Sequence, residues 1–409
     1  MAGTCATPLA AATRRTVQLD SRGSPFLPYV LAEASPPVPF HSSEIMLDIK
    51  IIREQSDLVK DGMRKVGADP AVIDDVLALD ERWRTKVSEA EELKAERKRQ
   101  AKETGHARAR GKHEHIHVSG ADAPDLRKMR EQVRDLDAET TELHRRLDKL
   151  MLNVPNLPHP DVPVGKGESE NVLVRTEGEP PEFDFEPRAH WELGEALGII
   201  DFERGVKMSG SRFYVLLGFG ARLQRALITW MLDLHTKQHG YAEVYPPYVV
   251  GEKCLVGTGQ LPKFADNLYR DVEDDLWLIP TAEVPLTNLH REEKLSRDDL
   301  PKCYVAYTPC FRREKMSAGA DVRGIKRGHQ FDKVELVKYC LPDESDEELA
   351  RLIADAEDVC TGLGLQYRIL EMCTGDLSFA ARRKFDIEVW AAGCREWLEV
   401  SSCSTFGDF

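Results

Sequence analysis

No apolar run in the chain approaches the ~18 to 20 residues that a membrane-spanning helix needs, which excludes such a span. Cys-x-x-Cys pairs are also missing, and the nine cysteines, at 5, 254, 303, 310, 340, 360, 373, 394 and 403, are odd in number and irregularly spaced. Such a set builds neither a disulfide framework nor a structural zinc site, so reduced thiols in a cytoplasmic compartment are the expectation. Positive charge is in deficit as well. A net charge of −14 argues against a protein that binds nucleic acid by overall charge, although an average can conceal a local basic patch. The first 45 residues hold no secretory apolar core and no amphipathic period. Pro25, Pro28, Pro36, Pro37 and Pro39 punctuate them, and Arg14, Arg15 and Arg22 are matched by Asp20, Glu33 and Glu44. They read as an extension without ordered structure, with an organellar address as the alternative.

What is present concentrates between residues 303 and 337. Phe311-Arg312-Arg313-Glu314 and Arg327-Gly328-His329-Gln330-Phe331-Asp332-Lys333-Val334-Glu335 adjoin two apolar and aromatic stretches. Between them, Lys315 to Lys326 carry Ser317, Gly319, Gly324 and several charges with neither helical nor strand period. The pattern predicts strand, long loop, strand. Arg312, Arg313 and Arg327 supply guanidiniums for a polyanion, Glu314 and Glu335 supply acceptors, and Phe331 offers a flat face to a base. That is an inventory for a nucleoside triphosphate. An isolated Arg-x-Glu would be a surface ion pair worth little.

Upstream, Val76, Leu79, Trp83, Val87, Ala90 and Leu93 step by three and four along one helical stripe. Leu126, Met129, Val133, Leu136, Thr140, Leu143, Leu147 and Leu150 make a second stripe, and a Gly-rich polar turn between Gly105 and Pro124 joins the two. Two such helices bury each other as an antiparallel coiled-coil hairpin. Between Lys94 and Lys112 the hairpin hides the basic patch: Lys94, Arg97, Lys98, Arg99, Lys102, Arg108, Arg110 and Lys112 against Glu96 and Glu103. His106, His113, His115 and His117 cluster at its tip, where no carboxylate or cysteine set accompanies them, so contact with RNA or solvent is expected rather than a metal. Prolines at 155, 158, 160 and 163 end the hairpin and mark a domain boundary.

Beyond the boundary a helix carrying Leu223, Ala226, Leu227, Trp230, Met231 and Leu234 precedes Tyr241-Ala-Glu-Val-Tyr-Pro246-Pro247. Leu276-Trp-Leu-Ile is a strand that runs into Thr281-Ala282-Glu283, and Ser345-x-x-Glu348 reads as a capping box opening the next helix. Lys384 to Trp390 and Trp397 to Ser404 are two further strands by composition, the second containing Glu399-Val400-Ser401-Ser402.

The paired arginine stretches resemble motif 2 of the class II aminoacyl-tRNA synthetases, in the form found in the seryl-tRNA synthetase family. Met46-Leu-Asp-Ile-Lys, the proline linker, Gly257-Thr-Gly-Gln-Leu-Pro-Lys-Phe and Thr281-Ala282-Glu283 resemble the same family, over about residues 46–409. The resemblance implies an α+β fold, an antiparallel sheet flanked by helices and preceded by the coiled-coil hairpin. Its parts would be an extension (1–45), a tRNA-binding helical domain (46–152), a linker (153–175) and a catalytic domain (176–409). It implies ATP and Mg2+, L-serine, tRNA(Ser) with tRNA(Sec) as a second acceptor, and a homodimer through the motif 1 region around the helix and Pro246-Pro247. By the same resemblance Thr281, Ala282, Glu283 and Glu335 take the serine. Arg312, Arg313, Glu314, Arg327, Phe331 and Glu399 to Ser402 (Glu399, Val400, Ser401, Ser402) meet ATP, with Glu399 and Ser402 also ligating magnesium. The hairpin grips the tRNA.

In the family the chain continues into a motif 3 strand and helix, and this sequence stops at Phe409 before them, so an incomplete chain is expected. A non-catalytic dimeric RNA-binding or regulatory paralogue that lost motif 3 is the alternative of a different class. Both steps of the implied reaction are mainly positioning and charge stabilisation, so the absence of a nucleophile-base arrangement is no objection. Deleting residues 94–125 is expected to spare adenylate formation, measured by pyrophosphate exchange, and to cripple aminoacylation of tRNA; equal losses in both assays would make the hairpin structural support.

Overall fold

The computed structural model describes residues 47–113, 123–315, 323–407 and 409, with side chains omitted for 104–125. The expectations for residues 1–45, the tip histidines and the side chains of Arg108, Arg110 and Lys112 lie outside the described residues.

Two short helices, α1 (Ile49–Glu54) and α2 (Ser56–Lys65), open the chain, and the Asp48 carboxylate caps α1 by accepting from the Lys50 backbone N–H at 2.8 Å. They pack on the root of a hairpin formed by α3 (Ala71–His113) and α4 (Ala123–Met151). Ile52, Val59, Met63, Ile73, Val76, Leu143, Leu147 and Met151 form that core. Both predicted stripes face inward, with every member of the second one buried or half-buried. One expectation is corrected. α3 does not turn at Gly105 but runs 43 residues to His113, about 64 Å at ~1.5 Å per residue, because a glycine costs a helix only about 1 kcal/mol against alanine. Asp80, fully buried, accepts from Arg53 Nε at 2.8 Å and Arg84 Nε at 3.0 Å and so ties α1 to the hairpin. Further out, Lys94 reaches Asp137 across the hairpin at 2.6 Å.

The proline linker is stitched to the C-terminal part of the chain: Asn156 Nδ2 donates to the carbonyls of Ala380 at 2.8 Å and Phe406 at 2.6 Å. After the linker come β1 (Val172–Glu177), α5 (His190–Ala196), β2 (Ile200–Asp201), α6 (Phe202–Ser209), β3 (Val215–Leu216) and α7 (Phe219–Lys237). β4 (Ala242–Glu243), β5 (Val249–Gly251), α8 (Glu252–Val256), β6 (Leu276–Leu278) and α9 (Glu283–Thr287) are next. The chain closes on β7 (Lys302–Phe311), β8 (Gln330–Tyr339), α10 (Ser345–Gly362), β9 (Tyr367–Glu371), β10 (Arg383–Ala391) and β11 (Glu396–Thr405). The fold is α+β. One sheet runs β1-β9-β10-β11, all antiparallel; a second runs β4-β7-β8, with β4 parallel and β7-β8 an antiparallel ribbon. The ribbon is the strand, long loop and strand of the sequence pattern.

α10 covers the back of the first sheet, where Leu349, Ile353 and Cys360 meet Tyr367, Ile369, Ile387 and Cys403. Its start differs from expectation. Ser345 and Glu348 form no capping box, because Ser345 Oγ bonds Thr405 Oγ1 at 2.5 Å and the buried Glu348 carboxylate is taken by Lys338 at 3.2 Å and by Arg351. Tertiary partners displace the local ones. Truncating Ile387, which is fully buried, to alanine is expected to cost about 3 kcal/mol of folding stability in urea titrations, whereas Val174→Ala, on the exposed β1, stays within about 0.5 kcal/mol.

Candidate active site

Pairing of β7 with β8 sets Thr308 opposite Lys333 and Ala306 opposite Glu335. Alternate residues of a strand share a face, so Phe331, Lys333 and Glu335 project together. Arg312 leaves the end of β7 with its N–H on the His329 carbonyl at 3.0 Å and its Nε on the Pro280 carbonyl at 3.1 Å. Its guanidinium lies 5.1 Å from the Phe331 ring centroid, a cation–π stack that holds the planar fork in one orientation for an anion.

Arg313 stacks over Tyr269 at 5.1 Å instead of facing the same way. Glu314 sits at φ 48°, in the left-handed region, where Arg212 Nη1 donates to its carbonyl at 3.0 Å and Arg327 Nη1 lies 3.5 Å from its carboxylate. At the other root of the loop Gly324 has φ 71° and packs so closely on His190 that a Cβ would collide with the imidazole. The Ile325 N–H then donates to His190 Nε2 at 2.9 Å. Arg323 and Lys326 both lie over Trp191, at 4.9 and 5.3 Å.

Across from the ribbon, β6 runs through Pro280 into α9. Val284 and Leu286 are fully buried, and that anchorage fixes Thr281 and Glu283 at the wall of the cleft. Thr281 Oγ1 donates to Glu335 Oε2 at 2.5 Å. Lys333 Nζ contacts the same two groups, 2.7 Å from Thr281 Oγ1 and 2.5 Å from Glu335 Oε2. Burial first, and the neighbouring Glu335 second, push the Glu283 carboxyl up to about 7, against the pull of Lys333 and Arg312.

The third wall depends on an irregularity. In a regular strand Glu399 and Ser402, three apart, point to opposite faces. Here Ile387 pairs with Ser401 and Glu388 with Glu399, leaving Val400 as the extra residue of a β-bulge. The phase slips by one, and Glu399 and Ser402 open on the same side. Ser402 Oγ donates to Asp386 Oδ1 at 2.5 Å, and Lys384 Nζ lies 3.1 Å from Asp386 Oδ2. Crowding by protein and the charge of Asp386 raise the Glu399 carboxyl above its ordinary range, opposed by Lys384, Arg312 and Arg327.

Thr281, Glu283, Arg312, Glu335, Glu399 and Ser402 thus line one cavity of about 610 Å³, within the range of small-molecule sites. Of the other sequence-predicted residues, Arg313, Glu314, Arg327 and Phe331 do not line it; Phe331 adjoins it through its stack with Arg312, while Arg313 stacks on Tyr269 and Glu314 pairs with Arg327. Ala282 is fully buried at the α9 N-cap, Val400 is exposed as the bulge, and Ser401 lies 4.0 Å from Cys403 Sγ on the helix-covered side. Sequence reasoning missed Lys333, which contacts Thr281 and Glu335, Asp386, which accepts from Ser402, and Lys384, which pairs with Asp386. A period-two count along β8, from Phe331 to Glu335, passes through Lys333 and would have found it. Lys94, Arg97, Lys98, Arg99 and Lys102 of the hairpin are not among the residues lining this cavity, and Lys94 and Arg99 are engaged by Asp137 and Glu96.

A nucleotide-sized cleft walled by a two-stranded arginine ribbon and an antiparallel sheet defines a class II aminoacyl-tRNA synthetase core. The model of the class II tRNA synthetase core domain (G, H, P, S and T) matches residues 264–409, and that of the seryl-tRNA synthetase N-terminal domain matches residues 46–158. The serine–tRNA ligase of Roseiflexus sp. (strain RS-1) is 59% identical over 364 residues, covering 89% of this chain and 84% of that one. The serine–tRNA ligase of Thermomicrobium roseum is 58% identical, covering 89% and 80%. Among solved structures, seryl-tRNA synthetase from Pyrococcus horikoshii complexed with ATP matches with a TM-score of 0.80 at 38% identity, covering 88% of this chain and 84% of that one. The cytoplasmic serine–tRNA ligase of Naegleria fowleri in complex with AMP gives 0.74 at 29%, covering 88% and 83%. The chain belongs to the seryl-tRNA synthetase family.

The raised carboxyl of Glu283 has a consequence for stability. Between its ordinary 4.5 and about 7 the folded chain holds a proton that the unfolded chain has lost, so this residue's contribution to stability falls as pH rises through that window. Glu283→Gln removes the effect. The melting-temperature advantage of Glu283→Gln over the wild type is expected to be larger at pH 8 than at pH 5; a constant difference would place the ordinary carboxyl range back on Glu283.

Proposed function

We propose that the chain is a serine–tRNA ligase, activating L-serine with ATP and transferring it to tRNA(Ser), with tRNA(Sec) as a second acceptor in the same reading. The observation that carries this is the union in one cavity of a hydroxyl-and-carboxylate pocket, Thr281, Glu283 and Glu335, with an anion-binding guanidinium, Arg312. The pocket suits an amino acid whose ammonium and hydroxyl both need acceptors. The names of the relatives support the choice of serine.

In the first step a carboxylate oxygen of serine attacks the α-phosphorus of ATP, and the bond to pyrophosphate breaks. Arg312 neutralises the α-phosphate and the incoming carboxylate together, which lowers their repulsion, and Phe331 keeps its fork flat for the purpose while offering the adenine a stacking surface. Glu314 accepts from the adenine amino group, and Arg313 and Arg327 serve the phosphates, Arg327 the γ-phosphate. Glu399, with Val400, Ser401 and Ser402 behind it, completes the nucleotide side. In the second step a ribose hydroxyl of the terminal adenosine attacks the serine carbonyl and AMP leaves. Both steps rest on groups already oriented.

Glu399 and Ser402 fit a magnesium ion: they are hard oxygen donors on one face, and the mutual repulsion of Glu399 and Asp386 is of the kind a divalent cation relieves. Bound there with ATP, the ion would neutralise phosphate charge. The basic hairpin, Lys94, Arg97, Lys98, Arg99, Lys102, Arg108, Arg110 and Lys112, is the tRNA-binding arm of this reading, holding backbone more than base edges. A homodimer through the motif 1 region accounts for apolar side chains exposed around α7 and β5, among them Phe219, Leu223, Tyr245 and Val249. The reading places the work in the cytoplasm. Among the described residues no helix is long and apolar enough to cross a membrane. Arg312→Ala is expected to reduce serine-dependent pyrophosphate exchange by about a hundredfold or more while leaving the fold intact by circular dichroism. Near-normal exchange would remove Arg312 from the chemistry.

A further inference from the structure

Neither step of the proposed reaction gives a part to Lys333, yet its ammonium sits at the centre of the amino-acid pocket. Nζ is 2.5 Å from Glu335 Oε2 and 2.7 Å from Thr281 Oγ1, the two groups that the proposed function reserves for the substrate. A primary ammonium on an alkyl stem is chemically the same group as the α-ammonium of an amino acid, with three tetrahedral donors and one charge. Thr281 donates its hydroxyl proton to Glu335 Oε2, so Lys333 and an incoming ammonium meet the same pair of groups.

We propose that Lys333 is a resident stand-in for the substrate: its ammonium and that of L-serine compete for Glu335 and Thr281, and serine enters by displacing it. This rests on the serine-ligase reading of the same site. The exchange replaces one ammonium by another, so Glu335, whose side chain is only 17% exposed, is not left as an unpaired buried carboxylate at either end of the process. The side chain of Lys333 is about one third exposed and unbranched, which leaves it room to withdraw. Along the strand the next residue on its face is Phe331, beneath Arg312, so the displaced ammonium moves toward the bound carboxylate and α-phosphate. Serine binding thereby delivers a second cation to the reacting anions, and couples recognition of the amino acid to activation.

The test is calorimetric titration of the full chain with L-serine, comparing wild type, Lys333→Met and Lys333→Arg, each checked for an intact melting transition. Methionine keeps the stem and removes the competitor. Affinity is reduced by the fraction of sites the competitor holds, so a lysine in place about nine-tenths of the time implies about tenfold tighter serine binding in Lys333→Met. Arginine keeps the charge and grips a carboxylate through two donors, so Lys333→Arg should bind serine more weakly than wild type and serves on its own if the methionine variant does not fold. Turnover in pyrophosphate exchange should drop at least several-fold in Lys333→Met although serine binds better, a split that loss of structural support would not produce. Binding of 3-hydroxypropionate, which has no ammonium to exchange, should gain less from the substitution than serine does. Unchanged or weaker serine binding in Lys333→Met, with the wild type binding normally, overturns the stand-in alone. A wild type that binds no serine, with or without ATP, overturns the functional reading and the stand-in together.

Discussion

Carboxylates withdrawn from bulk water need cations or protons, and the cleft is organised by that need. Burial first, and the charge of Glu335 second, raise the Glu283 carboxyl, while Lys333 and Arg312 draw it down. On the opposite wall Asp386 does to Glu399 what Glu335 does to Glu283, and Lys384, Arg312 and Arg327 offset it. Arg312 acts on both walls. It is fixed from two directions, by the Pro280 carbonyl and by the Phe331 ring, so that charge shared between the halves of the cleft stays in one place. A guanidinium oriented before any substrate arrives has less reorganisation left to do during reaction.

The scaffold supplies positions that these charges could not hold by themselves. α9 is only five residues long, too short to be stable alone, and it persists because Val284 and Leu286 are fully buried. α10 plays the same part for the first sheet by covering Ile369 and Ile387, which leaves the other face of β10 and β11 free to be polar. The two walls are therefore different devices. One is a ribbon whose face is set by simple alternation, and the other a bulged strand whose face is set by an exception to it.

The hairpin answers to a separate constraint. Its root shares a core with α1 and α2, and Asn156 and the linker bind that end of the chain to the β10–β11 side of the body. Among the described residues, its basic stretch contributes nothing to the lining of the cleft. Positive charge is concentrated there in a chain whose total is −14, so the average conceals a local patch.

The sequence by itself determined the heptad stripes of the hairpin and the two strands of the ribbon, because each depends on a period readable within a few residues. It also named Thr281, Glu283, Arg312 and Glu335, which line the cavity, without saying how they meet. Only the tertiary structure decided that α3 passes through Gly105, that Ser345 and Glu348 serve distant partners instead of a helix cap, and that Lys333 belongs to the pocket. The bulge at Val400 was equally invisible, since strand register depends on pairing with β10 and not on local composition. Local periodicity is written in neighbouring residues, whereas the choice between competing hydrogen-bond and charge partners is made only when segments remote in sequence are brought within about 3 Å of each other.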